Sequence, residues 1–598
     1  MGATMKQLMM GNEAIGRGAV EAGVSVVSAY PGTPSSEIPA YLARIAKDHA
    51  MYVEYAANEK VALEVAIGAS WAGLRALATM KHVGVNVAAD PLLSLTYTGV
   101  KGGLVLVSAD DPSCHSSQNE QDNRYYAMLA SMPALEPASP QEALEMTKAA
   151  FDLSEAVGLP VMLRPTTRSC HCRADVEAGE ARPQNTGASF ERDVRHRVTI
   201  PAHARLLHPE LLRKIEQVRE TFEESPFNSV TGSGSRGIIA SGISSAYVAE
   251  AVAALGGGMA VLKLGTVHPL PRRLLASFLE GKDTVLVVEE MEPVVECQVK
   301  ALAFEEGIGV SLRGKDLVPR TGELDTGIVT RAVAEAFGLS SPAAPACGPE
   351  TVALPPRPPV LCPGCPHRAT FYCINKTSKK AIKTSDIGCY TLGVVPPLSA
   401  VDTCLCMGAS IGVACGLAAA GTNEVVATIG DSTFFHTGLP ALASAVYNRH
   451  RVTIVILDNR TTAMTGHQPH PGTGTTAMGA PAPMIDIATV CEAMGAATWV
   501  VDPFDLPATM EALTAANAVE GPAVVVAKSP CALLLRRSEP PLVVDEEACT
   551  GCKLCITQLG CPAITFKDEE KKSHIDPLLC TACGVCAQVC RFKAIKNE

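Results

Sequence analysis

Aromatic side chains are scarce in this chain: 13 Phe, 11 Tyr and 2 Trp make up 4% of its 598 residues. Its cores must therefore close on Gly, Ala and aliphatic side chains, which suits parallel α/β domains with helices packed tightly on sheets. Charge is also sparse, at 19%, and it sums to -11. The missing basic excess excludes nucleic acid as the main partner, because phosphate binding needs a cationic face. The first residues lack a cationic start leading into an apolar core, so no export segment is predicted. Long apolar runs without charge are nearly absent. The exception, residues 403–423, carries Gly408, Gly412, Gly416 and Gly421 and leads into a strand-like VVATIG. That pattern predicts a buried helix and no membrane span. Against these absences stand 22 cysteines. Disulfide frameworks belong to short exported chains, so a cytoplasmic protein with metal-bound thiolates is the expectation.

A chain of this length exceeds one hydrophobic core, and about three to five domains are expected. Residues 1–185 alternate apolar runs (VSVVSAYPG, GGLVLVSAD, LPVMLRP) with helical stretches such as NEKVALEVAIGASWAGL, the pattern of a parallel sheet with crossover helices. Residues 186–235 are charged and irregular, with one amphipathic helix, and read as a linker. A second α/β unit, 236–342, has strands at GIIASG, AVLKLG and TVLVVEE, and a Pro- and Ala-rich bridge closes it near residue 360. A third, 360–536, has strands at EVVATIGD, VTIVILDN and PAVVVAKSP. After RRSEPP a cysteine-dense tail, 540–598, begins.

The tail reads Cys549-x2-Cys552-x2-Cys555-x5-Cys561-Pro562 and then Cys580-x2-Cys583-x2-Cys586-x3-Cys590. This is the spacing of bacterial two-cluster ferredoxins, in which three close thiolates hold one 4Fe-4S cubane and the fourth of each run crosses to the other. Cys549, Cys552, Cys555 and Cys590 are thus assigned to one cluster, and Cys561, Cys580, Cys583 and Cys586 to the second. Paired zinc sites are the alternative for four-cysteine sets, but zinc motifs rarely place CxxCxxC ahead of CP. The x5 before Cys561 is longer than the common x3.

In the third unit a strand ends in Gly430-Asp431-Ser432 and the next in Asp458-Asn459. Asp431 and Asn459 then stand side by side at the carboxyl edge of a parallel sheet, where such folds bind ligands. Hard oxygens there suit Mg2+ bridging a diphosphate. Gly430 is expected to let the backbone come close, and a helix N-terminus after it favours the anion. The pattern resembles the magnesium and diphosphate signature of thiamine-diphosphate enzymes, relaxed from GDG and NN to GDS and DN. By that resemblance the Thr461 carbonyl completes the metal site. Gly466-His467-Gln468 and His470 follow on a loop, either facing substrate or simply solvated.

Thiamine diphosphate needs an acid beside N1′ of its aminopyrimidine to favour the imino tautomer. Glu59, in YVEYAANEK, is at a strand-to-helix turn, although an acid there also serves as an ordinary helix-dipole partner. Upstream, Tyr30-Pro31-Gly32-Thr33-Pro34-Ser35-Ser36 resembles the YPxTPSS motif of the 2-oxoacid:ferredoxin oxidoreductase family. There the threonine contacts the substrate carboxylate and the acid follows at a distance that matches Glu59. VLKLGTVHPLP and VLVVEE resemble the family's transketolase C-terminal-like domain. ATMKHVGVNVAADPL, HSSQNEQDNR, CPGCPHR, CMGASIG and ILDNRTTAMTGHQPHPG resemble its aryl-pyruvate branch.

The resemblance implies an α/β fold of two thiamine-diphosphate-binding-type parallel-sheet domains, a transketolase C-terminal-like domain and an α+β two-cluster ferredoxin domain. It implies conversion of an aryl pyruvate (an aryl 2-oxoacid), coenzyme A and oxidised ferredoxin to an aryl-acetyl-CoA, carbon dioxide and reduced ferredoxin. A smaller β subunit in an α2β2 assembly is expected on the same ground. The family also ligates a cluster near thiamine through a CxxC, a downstream GC and a late SPC, which here are Cys362, Cys365, Cys389 and Cys531. His115 to Arg124 are expected to line the pocket, while the family's substrate arginine has no unambiguous counterpart, so that role stays open. Cys404, Cys406 and Cys415 carry no assigned role, and Cys170-His171-Cys172 reads as structural. Two rivals remain: a non-redox thiamine-dependent decarboxylase, and an electron-transfer subunit with vestigial thiamine domains.

Overall fold

Runs such as Leu104–Ala109 and Thr453–Asp458 are buried at every position, the condition under which strands pair in parallel beneath helices on both faces. Each buried Leu, Val or Ile in them contributes about 1.5–3 kcal/mol. The computed structural model describes residues 5–185, 187–340, 357–422, 424–535 and 539–597. The chain divides into two units, Met1–Ala353 and Leu354–Glu598. Most of the expected Pro- and Ala-rich bridge lies outside the described residues, as do residues 536–538 of RRSEPP.

The first unit holds two sheets. One runs Thr266–His268, Ala134–Leu135, Val161–Leu163, Leu104–Ala109, Ala76–Lys81, Val26–Ala29, Tyr52–Tyr55, parallel except at its first strand. The other runs Ser311–Arg313, Thr284–Val288, Arg236–Ser241, Ala260–Leu264, Ser229–Thr231. Two features differ from the expected partition. Thr266–His268, within the second α/β region, pairs antiparallel with Ala134–Leu135 in the first sheet. Ser229–Thr231, within the expected linker, adds an antiparallel edge strand to the second sheet. That stretch also forms helix Pro201–Phe222, whose Leu207, Leu211, Ile215, Val218 and Phe222 are buried. Their spacing of three to four residues makes an apolar stripe, so the segment is a strap packed on the unit.

The second unit centres on a six-stranded parallel sheet: Thr403–Cys404, Ile382–Ser385, Val425–Gly430, Thr453–Asp458, Ala523–Lys528, Ala497–Val501. The run at 403–423 is helical over Ala409–Ala419, but only Ser410, Ile411 and Ala414 of it are buried. The buried helix expected there has one covered face. No described helix is long and apolar enough to cross a membrane. The tail folds as two antiparallel pairs, Leu542–Val544 with Ile595–Asn597 and Ile564–Lys567 with Lys572–Ile575. It shares a core with the sheet domain: Leu361, Phe371 and Leu513 belong to the same buried cluster as Leu559, Val585 and Val589. Arg368 ties the two together by donating to the carbonyls of Leu559 (2.6 Å) and Gly560 (2.8 Å).

Candidate functional site

Four neighbouring strands of the second unit deliver polar residues to one edge of the sheet. Ile382–Ser385 leads to Asp386 and Cys389, Val425–Gly430 to Asp431, Thr453–Asp458 to Asn459, and Ala523–Lys528 to Cys531. In-register pairing of Gly430 with Leu457 sets Asp431 and Asn459 side by side. Asp431, Asn459 and Thr461 are all buried. The Asn459 amide oxygen faces the Thr461 carbonyl oxygen at 2.8 Å and Asp431 Oδ1 at 3.2 Å. Turned end for end, the amide would donate to both. Three oxygens facing one another in this way are what a hard cation holds, since octahedral Mg–O bonds of 2.0–2.1 Å put adjacent ligand oxygens about 2.9 Å apart. The donor set therefore fits the expected metal.

His470 backs this cluster. The Gly472 N–H donates to His470 Nδ1 at 3.1 Å, so the ring proton sits on Nε2, 3.1 Å from Asp431 Oδ2. One carboxylate oxygen is thereby engaged by the ring while Oδ1 faces the other oxygens. His470 is buried, so it is not a solvated loop histidine. Asp458 is pushed up to about 6 by burial and by the adjacent Asp431 charge. Gly430 also has a packing use. A Cβ there would lie 2.6 Å from the Tyr390 ring, so its missing side chain makes room for Tyr390. Tyr390 in turn donates to Asp386, which also accepts from Ser410 Oγ at 2.8 Å. Burial holds the Asp386 carboxyl up near 7. After Asp431 the chain makes a single π turn, Phe434–Gly438, before helix Leu439–Tyr447. Such turns recur at functional sites, and this one has no signature in the residue pattern.

The cysteines fall into three groups. Cys549, Cys552, Cys555 and Cys590 line one cavity. Cys561, Cys580, Cys583 and Cys586 line another. The x5 spacing thus still brings Cys561 to the second cavity, through helix Leu554–Thr557 and a left-handed Gly560. Among the described residues no three His, Cys, Asp or Glu side chains could hold a single metal ion. The thiols ring cavities, which suits a cubane better than zinc. The third group is Cys362, Cys365, Cys389 and Cys531. Burial raises the Cys365 thiol to about 12 and Cys389 to about 11, and in each two other thiols of the group add to the shift. Cys531 is raised by burial and feels Cys362. Cys362 and Cys389 thus each act with both Cys365 and Cys531. Cys365 also lines the cavity of the second tail group, so the two thiol groups adjoin.

In the first unit, the loop after Val26–Ala29 carries Thr33. Its carbonyl accepts from Ser116 Oγ at 3.1 Å, and Ser35 Oγ closes the turn onto the Gly32 carbonyl at 2.8 Å. Asn58 caps helix Glu59–Trp71 by accepting from the Val61 N–H at 2.9 Å, which puts Glu59 in the first turn, buried. A Cβ on Gly84 would lie 2.7 Å from Glu59 Oε1, so this glycine seats the carboxyl group. Lys81, whose stem runs against Gly32 and whose charge Glu59 acts on, received no role from the sequence. Its only signal is a lone charge ending the buried run Ala76–Lys81.

Residues 115–124 contribute Ser116 to this region, but Arg124 does not line a pocket. Arg124 is fully buried and pairs with Asp122 (2.5 Å) and Glu289 (2.6 Å). It also donates to the Glu290 and Glu292 carbonyls. It bolts the two sheets of the first unit together. Cys170 is likewise fully buried, in helix Thr167–His171.

Four family descriptions match the chain in order. They are pyruvate flavodoxin/ferredoxin oxidoreductase, thiamine diphosphate-binding, over residues 17–186, and the indolepyruvate oxidoreductase domain over 237–341. The C-terminal TPP-binding domain of thiamine pyrophosphate enzymes matches 386–527, and the 4Fe-4S dicluster domain matches 541–591. Among curated relatives, the indolepyruvate oxidoreductase subunit IorA of Thermococcus kodakarensis is 51% identical, covering 98% of this chain and 96% of its own length. The IorA of Pyrococcus abyssi is 52% identical over 99% and 96%, and that of Archaeoglobus fulgidus 48% over 99% and 97%.

Proposed function

The chain belongs to the IorA family of indolepyruvate oxidoreductase subunits, thiamine-diphosphate-dependent 2-oxoacid:ferredoxin oxidoreductases with 4Fe-4S clusters. From that premise we propose that it oxidises aryl pyruvates, indolepyruvate among them, with coenzyme A. The products are the aryl-acetyl-CoA, carbon dioxide, a proton and two electrons, which leave on two one-electron ferredoxins. Its relatives carry the word subunit in their names, and a smaller partner subunit is proposed here as well.

The observation that carries this reading is the sheet edge of the second unit, where three facing oxygens and a group of four thiols adjoin a two-cavity cysteine domain. Bound thiamine diphosphate supplies the electron sink for decarboxylation, and iron–sulfur clusters supply one-electron acceptors. Asp431, Asn459 and the Thr461 carbonyl would hold Mg2+, with His470 keeping Asp431 turned toward it. Glu59 would hold a proton at N1′ of the aminopyrimidine. Thr33 would orient the substrate carboxylate. Cys362, Cys365, Cys389 and Cys531 would hold a third, proximal cluster beside the second tail group.

The test is a panel of 2-oxoacids given to the anaerobic holoenzyme with coenzyme A and methyl viologen. Viologen reduction with indolepyruvate, phenylpyruvate and hydroxyphenylpyruvate, well above that with pyruvate or 2-oxoglutarate, is the expected result. Carbon dioxide release without viologen reduction or bleaching of the visible absorbance would instead identify a non-redox decarboxylase.

A further inference from the structure

Lys81 closes strand Ala76–Lys81 at the carboxyl edge of the first sheet, next to the strand that leads into the Thr33 loop. Its stem runs against Gly32: a Cβ on that glycine would meet Lys81 Cγ at 3.0 Å. The ammonium donates to the Ser116 carbonyl at 2.9 Å, and Ser116 Oγ in turn donates to the Thr33 carbonyl at 3.1 Å. Lys81, Thr33 and Ser116 thus form one small frame. Glu59 and Asp111 are close enough to act on the Lys81 charge.

No ion pair engages Lys81 among the described residues, and one carbonyl uses only one of its three donors. Asp111, the largest charge influence on Lys81, has its own partners: the Ser116 N–H (2.9 Å), Ser117 Oγ (2.6 Å) and Thr167 Oγ1 (2.7 Å) all donate to it. The neighbouring guanidinium groups are occupied. Arg124 is sealed against Asp122 and Glu289, and Arg164 pairs with Asp110 (2.6 Å) and Glu136. A partly buried ammonium with spare donors next to the predicted substrate threonine is a built receptor for a small carboxylate.

Resting on the 2-oxoacid reading above, we propose that Lys81 binds the carboxylate of the 2-oxoacid, the role for which the sequence offers no unambiguous arginine. The chemistry fixes the kinetic signature. The carboxylate leaves as neutral carbon dioxide, so its ion pair with Lys81 is strongest before the bond breaks and fades as it breaks. Lys81 therefore contributes to substrate binding and little to the step after it.

The experiment compares the wild-type holoenzyme with Lys81→Met, Lys81→Gln and Lys81→Arg, after checking that thiamine content, visible absorbance and melting temperature match. Both neutral variants are expected to raise KM for the aryl pyruvate about 10- to 100-fold. Their kcat and their KM for coenzyme A should stay within about twofold of wild type, and Lys81→Arg should recover most of the lost affinity. Competitive inhibition by the aryl acetaldehyde, which lacks the carboxylate, should be unchanged. An unchanged 2-oxoacid KM in Lys81→Met overturns the assignment, and so does equal weakening toward the aldehyde or coenzyme A. A wild-type enzyme that oxidises no 2-oxoacid overturns the parent reading instead, and this inference falls with it.

Discussion

Single side chains in this protein are set by neighbours far away in sequence. Glu59 is seated because Gly84 has no Cβ to exclude it, and Asn58 fixes the turn that presents it. Glu59→Gln keeps the shape and removes the acid. It is expected to lower 2-oxoacid-dependent viologen reduction at least about 100-fold, the scale of general acid–base contributions, while thiamine remains bound in a content assay. Lys81 makes a pH prediction. Burial depresses it to about 8, against the pull of Asp111, Glu59 and Cys114, the groups that face it. Below that value the ammonium is charged and receives a carboxylate; above it the charge is lost. The kcat/KM for an aryl pyruvate should therefore fall by about tenfold per pH unit above about 8. In Lys81→Arg, whose guanidinium stays charged, that limb should vanish.

At the level of elements, the strands were the most legible part. Runs such as VVATIG and TIVILD are buried throughout because both faces are covered, and the polar residue that ends each run marks the sheet edge. Asp431 and Asn459 could be picked out for that reason. The short strand Thr266–His268 could not, because three residues joining a distant sheet carry no periodicity of their own. Nor could the packing of Gly430 on Tyr390, which depends on where that ring comes to lie. His470 shows the same limit: its place in the string looks like loop, and only the fold turns it onto Asp431.

The duplicated tail adds an internal comparison between its two halves. Gly551 and Ala582 occupy matching places after the first cysteine of each run, both left-handed, with φ of 68° and 54°. An alanine is thus tolerated in that conformation. What separates the two is the Lys571 carbonyl, into which a Cβ on Gly551 would drive. Gly551→Ala should therefore disturb the cavity of Cys549, Cys552, Cys555 and Cys590. The expected loss is about four irons per chain, measured as iron and acid-labile sulfide.

For the molecule as a whole, cluster content is the most direct check on the third thiol group. Three clusters correspond to about twelve irons per chain and two to about eight. Cys389→Ser should move the count from the first value toward the second and leave the tail's spectroscopic signal in place. A wild-type count near eight would remove the proximal cluster.

The core shared by the sheet domain and the tail, with Cys365 on the wall of the second tail cavity, has a consequence for timing. Ferredoxin-like modules on flexible tethers must search for their donors, and solvent friction governs that search. Here the tail is packed against the thiol-bearing edge, so the gap between them is a constant of the fold. Glycerol should therefore slow steady-state reduction of external ferredoxin, which arrives by diffusion. Substrate-driven bleaching of the enzyme's own absorbance, followed by stopped flow, should proceed at an unchanged rate.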